Sequence, residues 1–119
     1  MSTVPAVQSF ERIDLAQTER ITPEQFRESF NLADVPSAPG CYIMRDEKDR
    51  VIYVGKAKSL RMRVRTCLGE GDGRYTVKFL MKRVSKIDFL VTTNEKEALL
   101  LENSLIKEHH PRYNVQLKD

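Results

Sequence analysis

Apolar residues change their spacing several times along this chain, and each spacing predicts an element. Residues 1–21 keep no firm period and read as a loose N-terminal arm, which leaves 22–119 as the folded domain. Thr22-Pro23-Glu24-Gln25 is a helix start. Thr22 can cap, Pro23 suits the first helical position because no N–H is needed there, and Gln25 can reach back to complete a capping box. Phe26 and Phe30 then share a face, and the helix should fade near Asn31 because Pro36 and Pro39-Gly40 interrupt the next stretch of chain.

Cys41 to Arg45 and Val51 to Gly55 are short runs of β-branched and aromatic residues around Asp46-Glu47-Lys48-Asp49, the pattern of a hairpin. With the turn centred between Glu47 and Lys48, Tyr42 stands directly opposite Tyr53. Ser59 can cap a helix whose apolar stripe is Leu60, Val64, Cys67 and Leu68. Gly69-Glu70-Gly71-Asp72-Gly73 is a flexible joint, and a further helix is expected from Arg74 to Val84. Ile87 to Thr92 predicts a third strand. Asn94, with Glu97 three residues on, caps a last helix that should end near His109, ahead of Pro111. The order α-β-β-α-α-β-α predicts a mixed α/β domain built on one small sheet.

Composition narrows the class. The 119 residues can bury one core, and no apolar run approaches the ~20 residues of a membrane span. The first residues lack a basic region followed by an apolar block, so no secretory signal is expected. Cys41 and Cys67 form no C-x-x-C pair and, with two adjacent histidines, do not supply zinc-site spacing, so a reduced, cytoplasmic setting is expected. The net charge of +3 conceals a step: residues 1–34 carry six acids against three arginines, whereas 56–83 carry nine cations against Glu70 and Asp72. That step fits a local polyanion-binding surface and, equally, a solvated helix face.

Four features could carry chemistry. The Tyr42/Tyr53 pair either packs as a cross-strand aromatic pair or supplies a phenol for proton transfer, which would require neighbouring cations to lower its pKa. Gly55-Lys56-Ala57-Lys58, ahead of a helix N-terminus, can make an anion site from amides and ammonium groups, or be a plain turn. Arg63 borders the stripe of its helix and can aim a guanidinium into a cleft, while Arg61 and Arg65 project to solvent. Glu102 falls in the middle of the last helix's apolar arc, between Ala98 and Leu105 on one side and Leu99 and Ile106 on the other. A carboxylate placed there must be protonated, paired (with Arg63, for example) or bound to a hard cation.

The ordered set Gly40-Cys41-Tyr42, Tyr53-Val54-Gly55-Lys56-Ala57-Lys58, Leu60 to Arg65, Glu97-Ala98-Leu99-Leu100-Leu101-Glu102 and Pro111-Arg112-Tyr113-Asn114-Val115 resembles the GIY-YIG nucleases, and among them the N-terminal domain of the UvrC family of excision-repair incision proteins. The resemblance covers about Pro39 to Asp119. It implies a three-stranded antiparallel sheet flanked by helices, one Mg²⁺ or Mn²⁺ ion, and hydrolysis of a DNA phosphodiester on the 3′ side of a lesion. By the same resemblance Tyr42, Tyr53, Lys56, Arg63 and Glu102 are catalytic, Glu102 holds the metal, and Asn114 positions structure or substrate. Tyr53 would take a proton from the attacking water, with Lys56 lowering its pKa. Lys56, Lys58, Arg61 and Arg65 would contact phosphates of double-stranded DNA, and a UvrB-type damage-recognition subunit would be the partner. Cys67 stands where an aromatic residue is usual, and Cys41 replaces the isoleucine. UvrC proteins are normally longer, so the chain reads as one domain of such a protein, with a short stand-alone GIY-YIG nuclease as the alternative. A non-catalytic docking module of the same fold and an RNA-binding α/β domain are the competing readings. The latter leaves Glu102 without a role.

Overall fold

A computed structural model of the protein describes residues 21–68 and 80–116. The elements are α1 (Pro23–Ser29), a 3₁₀ turn (Leu32–Asp34), β1 (Gly40–Arg45), β2 (Val51–Ala57), α2 (Leu60–Leu68), β3 (Lys86–Val91), α3 (Glu95–His109) and α4 (Arg112–Gln116). The strands form one antiparallel sheet in the order β2-β1-β3. Helix starts follow the local chemistry. Thr22 and Gln25 form the reciprocal capping box, and Asn94 accepts from the Glu97 N–H.

The sheet is covered on both faces. On one, Tyr42, Met44, Ile87 and Phe89 pack with Leu60, Val64 and Cys67 of α2 and Phe26 of α1. On the other, Cys41, Ile43, Val54 and Leu90 pack with Ala98 and Leu101 of α3. The Cys41 thiol donates to the Ala98 carbonyl at 3.1 Å, fixing α3 against the central strand. Alternation along the strands sends successive side chains to these two layers.

The hairpin register differs from the expected one. Tyr42 pairs with Gly55 and Met44 with Tyr53, and the register shifts between Met44 and Arg45 so that Arg45 meets Val51. The connection is longer than a tight turn. Asp46 accepts from the N–H groups of Lys48 and Arg50, Arg50 folds back onto the Asp46 carboxylate, and Asp49 takes a left-handed φ of 66°. The slip for the Tyr42–Tyr53 pair is two residues, an even number, so both tyrosines keep the same face as diagonal neighbours. Their ring centroids lie 6.1 Å apart at 37°.

Other departures are local. Leu80 and Met81 are helical but Lys82 and Arg83 turn, so Val84 lies beyond that helix. The Gly69–Gly73 joint and most of the helix expected from Arg74 lie outside the described residues. The third strand starts and ends one residue earlier than expected. Pro111 is followed by the short helix α4, which was not expected, because a proline that stops one helix also suits the start of the next. Ile21, the end of the expected loose arm, packs against the core. The rest of that arm lies outside the described residues.

The register gives Gly55 its reason. The hydroxyl end of the Tyr42 ring lies against it, and a Cβ at this position would collide with the phenol, sitting 2.8 Å from Cε1 and closer still to Cζ and the hydroxyl. Gly55→Ala should therefore destabilise the fold by about 1–3 kcal/mol, the usual range for overpacking a filled site. Urea unfolding checks this, and an unchanged midpoint would show that the ring moves aside without cost.

Candidate active site

Three of the expected residues meet on the α2 side of the sheet. Tyr42 is fully buried in β1, Tyr53 is half-buried in β2, and Arg63 projects from the first turns of α2. The Arg63 Nε donates to the Tyr42 hydroxyl at 3.3 Å, and the Tyr42 ring lies beside that of Tyr53, close enough to act on the Tyr53 phenol. The result is a cluster of one guanidinium and two phenols, of which Tyr53 is the more accessible. Burial pushes both phenols above the ordinary tyrosine value, while Arg63 pulls Tyr53 back down. The expectation gave this role to Lys56, but the cation among the main influences on Tyr53 is Arg63, whereas Lys56 acts on Glu102. Cys67, buried one turn beyond Arg63, adds its field to the same cluster.

Glu102 and Lys56 meet on the α3 side, at the outer edge of β2. Burial raises the Glu102 pKa, while the nearby Lys56 ammonium and backbone N–H oppose that rise. The carboxylate is half-buried rather than central in an apolar arc. Ala98 and Leu101 face the core, but Leu99 is 43% and Leu100 60% exposed, because α3 packs on one side only. No ion pair joins Glu102 to Arg63 among the described residues; Arg63 is engaged by Tyr42. Glu102 does lie close enough to act on Tyr53, so the two halves of the site share the β2 edge.

Asn114 holds that edge. Its Oδ1 accepts from the Val54 N–H at 2.7 Å and its Nδ2 donates to the Val54 carbonyl at 2.8 Å. The carboxamide thus replaces one residue of a neighbouring strand. Each buried backbone group left without such a partner would cost about 1–3 kcal/mol.

The basic residues divide. Lys58 and Arg65 are exposed, as expected of phosphate contacts. Arg61 is not available in the expected way: its Nε donates to the Val35 carbonyl at 2.8 Å and its NH2 to that of Ala33 at 3.3 Å, clamping the 3₁₀ turn to α2. The expected anion site of amides at the α2 N-terminus is also filled. Leu60 and Arg61 donate their N–H groups to the carbonyls of Ala38 and Pro36, and β2 runs on through Ala57, so Lys56 lies in the strand rather than in a loop. Glu95 was not singled out by sequence. Its Oε2 lies 3.8 Å from the Lys56 Nζ, and its spacing of two helical turns from Glu102 was the available signal.

Among the described residues no group of three or more His, Cys, Asp or Glu side chains is placed to hold a metal. A cation here would rest on Glu102, with water and phosphate oxygens completing its shell. That suits a hard ion such as Mg²⁺, which commonly takes only one or two protein carboxylates.

Comparison with known proteins gives the same picture. The family model for the UvrC-like GIY-YIG domain matches residues 38–115. The chain belongs to this family. It is 56% identical over 89 residues to the UvrABC system protein C of Trichlorobacter lovleyi, a match covering 75% of this chain and 15% of that protein. Its counterpart from Chlamydia pneumoniae is 54% identical over 93 residues, covering 77% of this chain and 15% of that protein. The chain therefore spans about a seventh of the length of these relatives. The GIY-YIG N-terminal endonuclease domain of UvrC from Thermotoga maritima, solved bound to its catalytic divalent cation, magnesium, superposes with a TM-score of 0.66 at 35% identity, over 76% of this chain and 97% of that one. The expected three-stranded antiparallel sheet with flanking helices is the fold of this family member. No helix among the described residues is long and apolar enough to cross a membrane.

The raised Glu102 pKa has a definite sign. The folded protein holds this proton more tightly than the unfolded chain, so stability is gained as pH falls from the folded pKa toward the unfolded one, and lost as the carboxylate ionises. Glu102→Gln keeps the size and polarity of the side chain and removes the charge. It should raise the urea midpoint at pH 7, with the two proteins converging as the pH falls. A variant less stable at pH 7 would show that the ionised carboxylate supports the fold.

Proposed function

We propose that this chain is the metal-dependent endonuclease domain of an excision-repair incision protein, hydrolysing a DNA phosphodiester on the 3′ side of a lesion. The observation that carries this reading is the convergence on the β2 edge of a half-buried carboxylate and a cluster of one guanidinium and two phenols. One Mg²⁺ or Mn²⁺ is the cofactor, held by Glu102. When bound, it supplies Lewis-acid stabilisation of charge on the phosphate and the leaving oxygen.

The protein's own groups do the rest. Tyr53, the accessible phenol, acts as its phenolate: it first gives its own proton to solvent and then takes the proton of the attacking water. Tyr42 orients it by donating a hydrogen bond and is itself fixed by Arg63. Arg63 balances the negative charge that develops at the reacting phosphate, a contribution of about 3–4 kcal/mol for a well-placed donor in a shielded site. Lys56 keeps Glu102 ionised against its desolvation and lies within reach of a phosphate. Lys58 and Arg65 hold flanking phosphates of the duplex and set its register without reading bases. Arg61 is withdrawn from that role, since its guanidinium is committed to carbonyls. Asn114 positions β2 and touches no substrate. The domain comprises residues 22–119 and works in the cytoplasm, and lesion recognition belongs to a UvrB-type partner.

Nicking of a damaged plasmid by the full protein with its excision partners tests the reading. Glu102→Ala should reduce Mg²⁺-dependent cutting by at least about 10²-fold, the loss of several kcal/mol of charge stabilisation. Undiminished cutting would contradict the metal assignment. DNA binding without any metal-dependent cutting in the unsubstituted protein would make the chain a docking module.

A further inference from the structure

Lys56 faces two carboxylates of α3. Its ammonium lies 3.8 Å from Glu95, and it acts on the Glu102 carboxylate from nearby. Glu95 and Glu102 are seven residues apart, two helical turns, so their side chains leave the same flank of α3, where it packs on β2. Glu95 sits in the first turn, directly after the Asn94 cap, on the most firmly anchored part of the helix. The pair is partly open to solvent, with side-chain exposures of 34% and 44%. An ion pair of that kind adds little to stability, commonly ~0–1 kcal/mol. Its effect on geometry is larger. Lysine carries its charge on a flexible four-carbon stem, and a carboxylate mounted on a capped helix confines that stem to one side of the site.

The confinement matters because Lys56 and a bound cation would compete for the same carboxylate. An ammonium resting directly on Glu102 would occupy the oxygens that a cation needs. An ammonium drawn toward Glu95 leaves them accessible and stays beside the phosphate. We propose that Glu95 is a positioning residue for phosphodiester cleavage, holding the Lys56 ammonium on the α3 flank, clear of the Glu102 oxygens and within reach of the substrate. The proposal rests on the nuclease reading above.

The test is steady-state nicking of damaged plasmid by the full protein with its excision partners. Glu95→Gln should lower kcat about tenfold and raise the Mg²⁺ midpoint, with KM and the urea midpoint each nearly unchanged. Glu95→Asp, which retains the charge, should recover much of the loss. In a Lys56→Ala background Glu95→Gln should have no further effect, since a residue acting through another loses its influence when that residue is gone. A wild-type kcat for Glu95→Gln, or an equal loss in the Lys56→Ala background, overturns the proposal. With Glu102→Ala as the control, the two failures separate. Cutting that survives Glu102→Ala sinks the nuclease reading. A dead Glu102→Ala beside a fully active Glu95→Gln removes only the role given to Glu95.

Discussion

The outer edge of β2 is the constraint on which the site is built. In a three-stranded sheet of order β2-β1-β3, β2 has no strand beyond it, and its outward N–H and C=O groups need partners. Here the partners are side chains. Asn114 satisfies both groups of Val54, and two residues further along the strand the Lys56 N–H faces the side of Glu102. The carboxylate that reads as a metal ligand therefore stands at the same edge. Its place beside the phenols is set by the backbone of β2 rather than by a direct contact with them.

This arrangement lets groups from two opposite layers act on one point. Tyr42, Tyr53 and Arg63 belong to the layer between the sheet and α2, while Glu102, Lys56 and Glu95 belong to the side covered by α3. Only an edge strand brings the two layers to a common boundary with solvent. The cost falls on ionisation. Burial works against charge on Glu102 and on both phenols, and Lys56 and Arg63 are the cations that oppose it, each on its own side.

Much of this was legible in the chain, and the limits have physical causes. Helix starts at Thr22 and Asn94 could be read because capping is a local interaction over three residues. That Tyr42 and Tyr53 share a face could be read because side-chain parity survives an even slip. Their pairing could not, because it depends on a left-handed Asp49 and a register shift that leave no period. The helical wheel placed Glu102 too deep, treating α3 as enclosed although Leu99 and Leu100 face solvent. Arg61 was misassigned because its partners, the carbonyls of Ala33 and Val35, lie in an aperiodic segment far back in the chain. The family resemblance marked Asn114, but its task appears only when β2 is seen at the sheet's edge.

The central question is whether a divalent cation rests on Glu102 beside the phenols. Crystals of the protein soaked in Mn²⁺ and measured for anomalous scattering locate such an ion directly. One strong peak is expected within bonding distance of the Glu102 carboxylate, on the side facing Tyr53, with water filling the remaining positions. A well-ordered Glu102 with no peak beside it, or an ion bound only elsewhere on the molecule, would contradict a metal-centred mechanism at this edge.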